Sequence, residues 1–165
     1  MRRKDREMPK EFALAVAEKA AYSTLATVNA DGSPYCVPIT QVAMDGALYF
    51  HCAMAGQKTD NLKRDDRVCI SCVGQIRVPA GKFTLEFESA VITGKAQEVT
   101  EEAEKIQALR VLCQRFAPGN MDDFGNALKR SLDHTAVWKV IPDSITGKRK
   151  KFDAHGQEMT YGRME

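Results

Sequence analysis

Short runs rich in β-branched residues, separated by turn residues, dominate the first hundred positions. Tyr22–Asn29 (YSTLATVN) predicts a strand, and the Asn-Ala-Asp-Gly-Ser-Pro cluster at 29–34 a turn. Tyr35–Met44 predicts a second strand and Ala47–Cys52 a third, joined at Asp45-Gly46, the strongest short hairpin signal in the chain. Lys58–Arg64 predicts a short helix. Two further strands follow, Arg67–Ile76 and Phe83–Glu98, connected by a loop containing Pro79 and Gly81. The period then changes. Ala103, Ile106, Leu109, Leu112 and Phe116 recur at helical spacing, so a helix capped by Thr100 buries one face and ends at Pro118-Gly119. Lys10–Ala21 is alanine-rich and helix-forming, with Pro9 near its start. A short helix at Asp122–Leu132 and a last strand at Thr135–Pro142 complete the pattern, and a polar tail begins at about Ser144.

Helices do not alternate regularly with strands, which argues against a parallel Rossmann sheet. The predicted fold is mainly β (α+β): a small antiparallel β-barrel with helices packed outside it. With 165 residues, 44% hydrophobic and 28% charged, the chain reads as one soluble globular domain over 1–165. It contains no apolar run of the roughly 18 residues a membrane span needs. Its N-terminus, MRRKDREMPKEF, has no apolar core of a secretory signal, so a cytoplasmic location and no membrane are expected. The net charge of +2 hides two basic clusters: +3 in the first ten residues and +4 at Lys148-Arg149-Lys150-Lys151. Two short solvated ends do not make the broad basic surface of a nucleic-acid binder, and no nucleic-acid partner is expected.

Candidate chemistry is sparse. Five cysteines, Cys36, Cys52, Cys69, Cys72 and Cys113, are an odd number without secretory context, so no disulfide framework is expected. Cys69 and Cys72 have CxxC spacing, but in a strand they point to opposite faces, so no metal site is expected. Pro38 lies inside a strand pattern and lacks a ladder donor, which marks an edge strand with free backbone groups near Val37 and Ile39. If Leu48 and Phe50 face the core, Tyr49 and His51 face away. Gly56-Gln57-Lys58-Thr59-Asp60 opens a helix, and reads equally as a phosphate site and as a surface helix with a solvated lysine. No dinucleotide fingerprint, HExxH or nucleophile elbow is present, so no catalytic side chain is assigned; an enzyme of this sequence would rely on a cofactor.

MRRKDREM, LATVNADGSPYCVPIT, DGALYFHCAMAGQKTDNL, DDRVCISCVG, ESAVITGKA and ITGKRKK occur in this order along nearly the whole chain. Together they resemble the pyridoxamine 5′-phosphate oxidase-like, FMN-binding split-barrel proteins, most of all the nitroimidazole-resistance group. The resemblance implies an antiparallel split β-barrel and a homodimer with two FMN sites in grooves between subunits. Backbone groups of Val37, Pro38, Ile39 and Thr40 would meet the flavin pyrimidine, with Phe50 and His51 beside the ring. Lys58 matches the phosphate lysine and Ser89 a ring contact, and Trp138 falls loosely near a strand that approaches the other subunit's flavin. Gln57 stands where the oxidase branch has an arginine, so Arg64 or an N-terminal arginine is a candidate replacement. The oxidase Arg-x-His stretch is absent. The implied function is therefore reduction of nitroaromatic or nitroimidazole-like small molecules with NADH or NADPH as donor, and the alternative is a non-catalytic FMN- or haem-binding module.

Overall fold

The computed structural model describes residues 2–161. It contains β1 (Glu7–Met8), α1 (Lys10–Lys19), β2 (Ser23–Val28), β3 (Pro34–Ile39), β4 (Val42–Met44), β5 (Ala47–Ala53), α2 (Gln57–Arg64), β6 (Arg67–Arg77), β7 (Glu86–Glu98), α3 (Glu102–Phe116), α4 (Phe124–Ser131) and β8 (Thr135–Lys150). Pairing is antiparallel throughout, in the order β3-β2-β6-β7-β8-β5-β4, with β1 joined to the far end of β8. The sheet curls without closing: β3 pairs only with β2, and β5 beyond Tyr49 pairs only with β8. These two free edges form the seam of a split barrel.

The expected strand Tyr35–Met44 is two strands. After Pro38, which supplies no N–H, the chain leaves β2 and crosses the split at Thr40-Gln41 to pair with β5. A buried polar group marks this crossing. Gln41 is 0% exposed and its Nε2 donates to the Ala17 carbonyl at 3.0 Å. The Arg115 guanidinium donates to the Gln41 and Ala20 carbonyls, both at 2.6 Å, tying the crossing and the end of α1 to α3.

Alternation decides the rest. Leu25, Ile70, Ile92, Phe50, Trp138 and Val140 point into the barrel, whose open end is covered by Ala13, Val16 and Ala17 of α1. On the opposite face of β5 and β8, Tyr49 and Val137 are buried under Ala108, Leu109 and Leu112 of α3 and Phe124 of α4. Tyr49 thus points away from Leu48 and Phe50 as the alternation requires, yet into a second core. Its hydroxyl donates to Glu104 Oε1 at 2.7 Å, an oxygen that also pairs with Lys139 at 2.7 Å. Lys139 and then Tyr49 hold the Glu104 carboxyl below its ordinary pKa, while burial raises that of the phenol.

Three expectations about boundaries need correction. Thr100 does not cap α3; Glu101 occupies the cap without a side-chain bond, and Glu102 and Glu104 complement the helix dipole instead. The last strand does not end at Pro142, and no loose polar tail begins at 144. β8 continues to Lys150 because its ladder with β7 runs from Glu98↔Trp138 to Phe87↔Lys150. Its second half looked polar because the inward positions there hold Ile145, Gly147 and the charged Arg149. Gly147 is itself a packing residue, since a Cβ would sit 3.1 Å from Ala13 Cβ of α1.

Candidate functional site

The seam is bordered by β3 on one side and by the end of β5 on the other, and α2 follows β5 directly. Phe50 and His51 come from β5. The chain then turns at Gly56, whose φ of +131° admits glycine alone without strain, and α2 begins at Gln57. No side chain caps this start, and the first main-chain bond is Asp60 N–H to the Gly56 carbonyl at 2.9 Å. The N–H groups of Gln57, Lys58 and Thr59 therefore lack helical acceptors, the arrangement that receives an anion. Lys58 stands in this first turn, its Nζ 5.5 Å from the Phe50 ring centroid. Among the described residues no carboxylate pairs with it.

The remaining polar groups around α2 hold it in place. Gln57 Nε2 and Asn61 Nδ2 both donate to Asn29 Oδ1, at 3.0 and 2.9 Å, and Asn61 also donates to Thr27 Oγ1 at 3.1 Å. Arg64 donates to the Val28 carbonyl. Arg3 and Arg6 pair with Asp5 and Glu158. Of the guanidinium groups considered as substitutes for the charge missing at Gln57, those of Arg64, Arg3 and Arg6 thus have protein partners. Asn29 and Asn61 were not singled out from sequence; the turn cluster and the polar helix gave no sign that their amides meet.

The other predicted residues divide by face. Val37 and Ile39 pack on the barrel interior, Pro38 lies exposed on the outer face of β3, and Thr40 lies in the crossing. The Phe50 side chain is 0% exposed, so this residue offers the seam its backbone. Trp138 is 3% exposed, pairs with Phe50 inside the barrel, and leaves its indole N–H unpartnered. It does not reach the surface of β8. Ser89 lies on the outer face of β7, three strands from β3, which is about 14 Å. It does not join Pro38, His51 and Lys58 within one chain. Cys69 and Cys72 do point to opposite faces, in register with outward Ala26 and inward Ser23.

His51 is exposed, but neighbouring protein displaces enough water to lower its pKa below 6.5, and the Lys58 charge lowers it further. The imidazole is neutral at pH 7. With a depressed folded-state value, it lowers stability as pH falls below the unfolded 6.5, and has no such effect above it. In Lys58→Gln the smaller cause is gone, so the His51 midpoint followed by NMR should rise toward 6.5 without reaching it. An unchanged midpoint would show that the Lys58 charge does not act on the imidazole.

A family model described as pyridoxamine 5′-phosphate oxidase matches residues 9–149. The chain belongs to this family. Solved structures agree on the fold. A candidate 5-nitroimidazole antibiotic resistance protein from Bacteroides thetaiotaomicron is 23% identical with a TM-score of 0.72, over 87% of this chain and 86% of that one. An FAD- and haem-binding protein from Mycobacterium smegmatis is 19% identical with a TM-score of 0.75, over 96% and 84% of the two chains. The flavocytochrome Anf3 from Azotobacter vinelandii is 18% identical with a TM-score of 0.72, over 95% and 78%. A search of curated proteins returned no significant match. The seam, the uncapped α2 and Lys58 all lie within the stretch that matches the pyridoxamine 5′-phosphate oxidase family.

Proposed function

We propose that this chain is an FMN-dependent reductase of planar small molecules that works as a homodimer, with a flavin in each groove between two copies. The observation that carries this reading is an uncharged sheet face bordering the seam. Two rows of side chains cross the outside of five strands without a charge: Pro38, Thr24, Ser71, Val91 and Thr146, and beside them Cys36, Ala26, Cys69, Thr93 and Ser144. Val91 is 40% exposed and Val73, next to the first row, 49%. A solvated sheet face normally carries charge, and a contiguous face without it favours burial against a partner. A two-fold axis along β6, the middle strand of these rows, lays the β3 edge of each copy over β7 and β8 of the other. Ser89 then meets the second copy's flavin although it lies far from its own seam.

In this reading the α2 amides and Lys58 hold the FMN phosphate, and the backbone of Val37–Thr40 holds the pyrimidine edge. Phe50 and His51 border the ring, and the second copy excludes water. The chemistry FMN supplies is hydride acceptance from NADH or NADPH and electron delivery to an acceptor such as a nitroaromatic or nitroimidazole. The Bacteroides neighbour supports that class of acceptor. Pyridoxamine phosphate oxidation is not part of the reading, because the Arg-x-His stretch is missing. A carrier without turnover is the second reading, favoured by one feature: His51 is an exposed, neutral imidazole able to ligate haem iron. NADH or NADPH oxidation by the flavin-loaded protein, with and without a nitroaromatic, separates the two.

Wild type should sediment at twice 18.3 kDa. Ser71→Arg, which puts a charge at the centre of the face, should give a folded monomer that binds FMN at least about tenfold more weakly, a loss of ~1.4 kcal/mol. A Ser71→Arg dimer, or a monomer with undiminished FMN affinity, contradicts the intersubunit site.

A further inference from the structure

We propose that one end of the barrel docks on an anionic lipid bilayer, with the β6–β7 hairpin tip entering the headgroup layer and a basic collar around it meeting the lipid phosphates. The inference stands on a single copy and does not depend on the flavin reading.

The two basic clusters, far apart in sequence, are one cluster in the fold. β1 pairs with β8 at Glu7↔Lys148 and Met8↔Gly147, so residues 2–6 run alongside Lys148–Lys151. Arg3 and Arg6 reach Glu158, and the Tyr161 N–H donates to the Asp5 carbonyl, which fixes the N-terminal stretch against the turn after β8. The hairpin loop closes on the same turn: Lys82 Nζ donates to the Gly156 carbonyl at 3.0 Å and lies 4.4 Å from the Phe152 ring centroid. Among the described residues, six cations at this end have no carboxylate within ion-pair distance: Arg2, Lys4, Lys82, Lys148, Lys150 and Lys151. Two unpaired carboxylates stand against them, Glu7 across from Lys148 and Asp153, which accepts from the His155 and Gln157 amides. The other four carboxylates here, Asp5, Glu86, Glu88 and Glu158, are taken by arginines. Lys10 and Glu11, next along the chain, offset each other. The end therefore keeps a positive charge.

The apolar part lies within this collar. β2 leaves β6 after Ser23↔Cys72, and β8 leaves β7 after Phe87↔Lys150, so the loop 78–85 projects past both neighbouring strands. Phe83 on this loop is fully exposed and Val78 is 70% exposed, with Ile76 and Leu85 also exposed behind them. An apolar tip flanked by lysines suits a bilayer interface: the tip sits among the headgroups and the lysines meet the phosphates. A nucleic acid would meet the same cations, but it offers nothing that buries Val78 and Leu85. The two-fold axis proposed above runs along β6, so a dimer directs both tips at the same surface.

Flotation with vesicles of phosphatidylglycerol and phosphatidylcholine, against vesicles of phosphatidylcholine alone, tests the surface. Wild type should partition to the anionic vesicles at least about tenfold more strongly, and added salt should weaken the binding. Lys4→Gln combined with Lys151→Gln removes two unpaired cations and should lower partitioning about 30-fold. Phe83→Ser should lower it about tenfold and leave the salt dependence in place. All three side chains are exposed, so the fold is not at stake. Equal binding to both vesicles, no binding to the anionic ones, or full binding by either variant would overturn the assignment. So would a short DNA duplex that displaces the vesicles and binds wild type and Phe83→Ser alike, which would make this end a nucleic-acid surface. A Phe83→Ser monomer beside a wild-type dimer would place the tip between copies and overturn it too. Flotation is read with and without added FMN, so the flavin reading and this inference fail separately.

Discussion

Lys58→Ala should weaken FMN binding by about 10- to 150-fold, the loss of one charge-assisted bond of roughly 1.5–3 kcal/mol. The structure strengthens the expectation. Gln57 brings no charge and spends its amide on Asn29, while Arg64 donates to the Val28 carbonyl. Lys58 is left as the cation of the α2 first turn, beside three N–H groups without helical acceptors. Riboflavin has the same ring and no phosphate, so its affinity should change much less. Titration of both ligands into wild type and variant, read by flavin fluorescence, makes the comparison. Equal losses for FMN and riboflavin would mean that Lys58 supports the site through its contact with Phe50 rather than through the phosphate.

Gly94→Ala should be the most destabilising single substitution in the sheet, by roughly 3 kcal/mol or more. Gly94 lies where the β7–β8 register shifts, and a Cβ there would lie 2.2 Å from the Ile141 carbonyl oxygen. That oxygen is main chain and cannot turn aside, so the two strands must separate locally. Both strands line the barrel core, through Ile92 and Ala96 on one and Val140 on the other. Urea unfolding of wild type and variant measures the difference, and a loss below about 1 kcal/mol would show that the ladder yields easily at this point.

Much of the architecture can be read from alternation and turn residues. β2, β5, β6 and α3 follow their patterns closely because each has one apolar side and one clear boundary: the 29–34 turn, Asp45-Gly46, the loop with Pro79 and Gly81, Pro118-Gly119. The crossing at Thr40-Gln41 could not be read that way. Gln41 is a polar residue wholly buried by bonds to α1 and from α3, and periodicity carries no information about such partners. The second half of β8 was obscured for the opposite reason, since glycine at 147 serves close packing and reads as polarity. Of the candidate site, Pro38 and Lys58 were visible locally, one as an edge-strand proline and the other at a helix start. Ser89 depends on which face of the sheet is covered, and Trp138 on which side of β8 is inside. Those are properties of strand order, β3-β2-β6-β7-β8-β5-β4, which no local pattern encodes. The amide network of Asn29, Asn61 and Gln57 likewise joins a turn to a helix through contacts that only the folded chain brings together.

The central claim is that two copies share two flavins across the uncharged sheet face. Native mass spectrometry of the protein loaded with FMN tests it in one measurement, because it reports chain and cofactor stoichiometry together. The account predicts a single dominant species of two chains and two FMN, with Ser71→Arg moving the signal to single chains free of FMN. A single chain retaining one FMN, or a two-chain species without FMN at saturating cofactor, would contradict it.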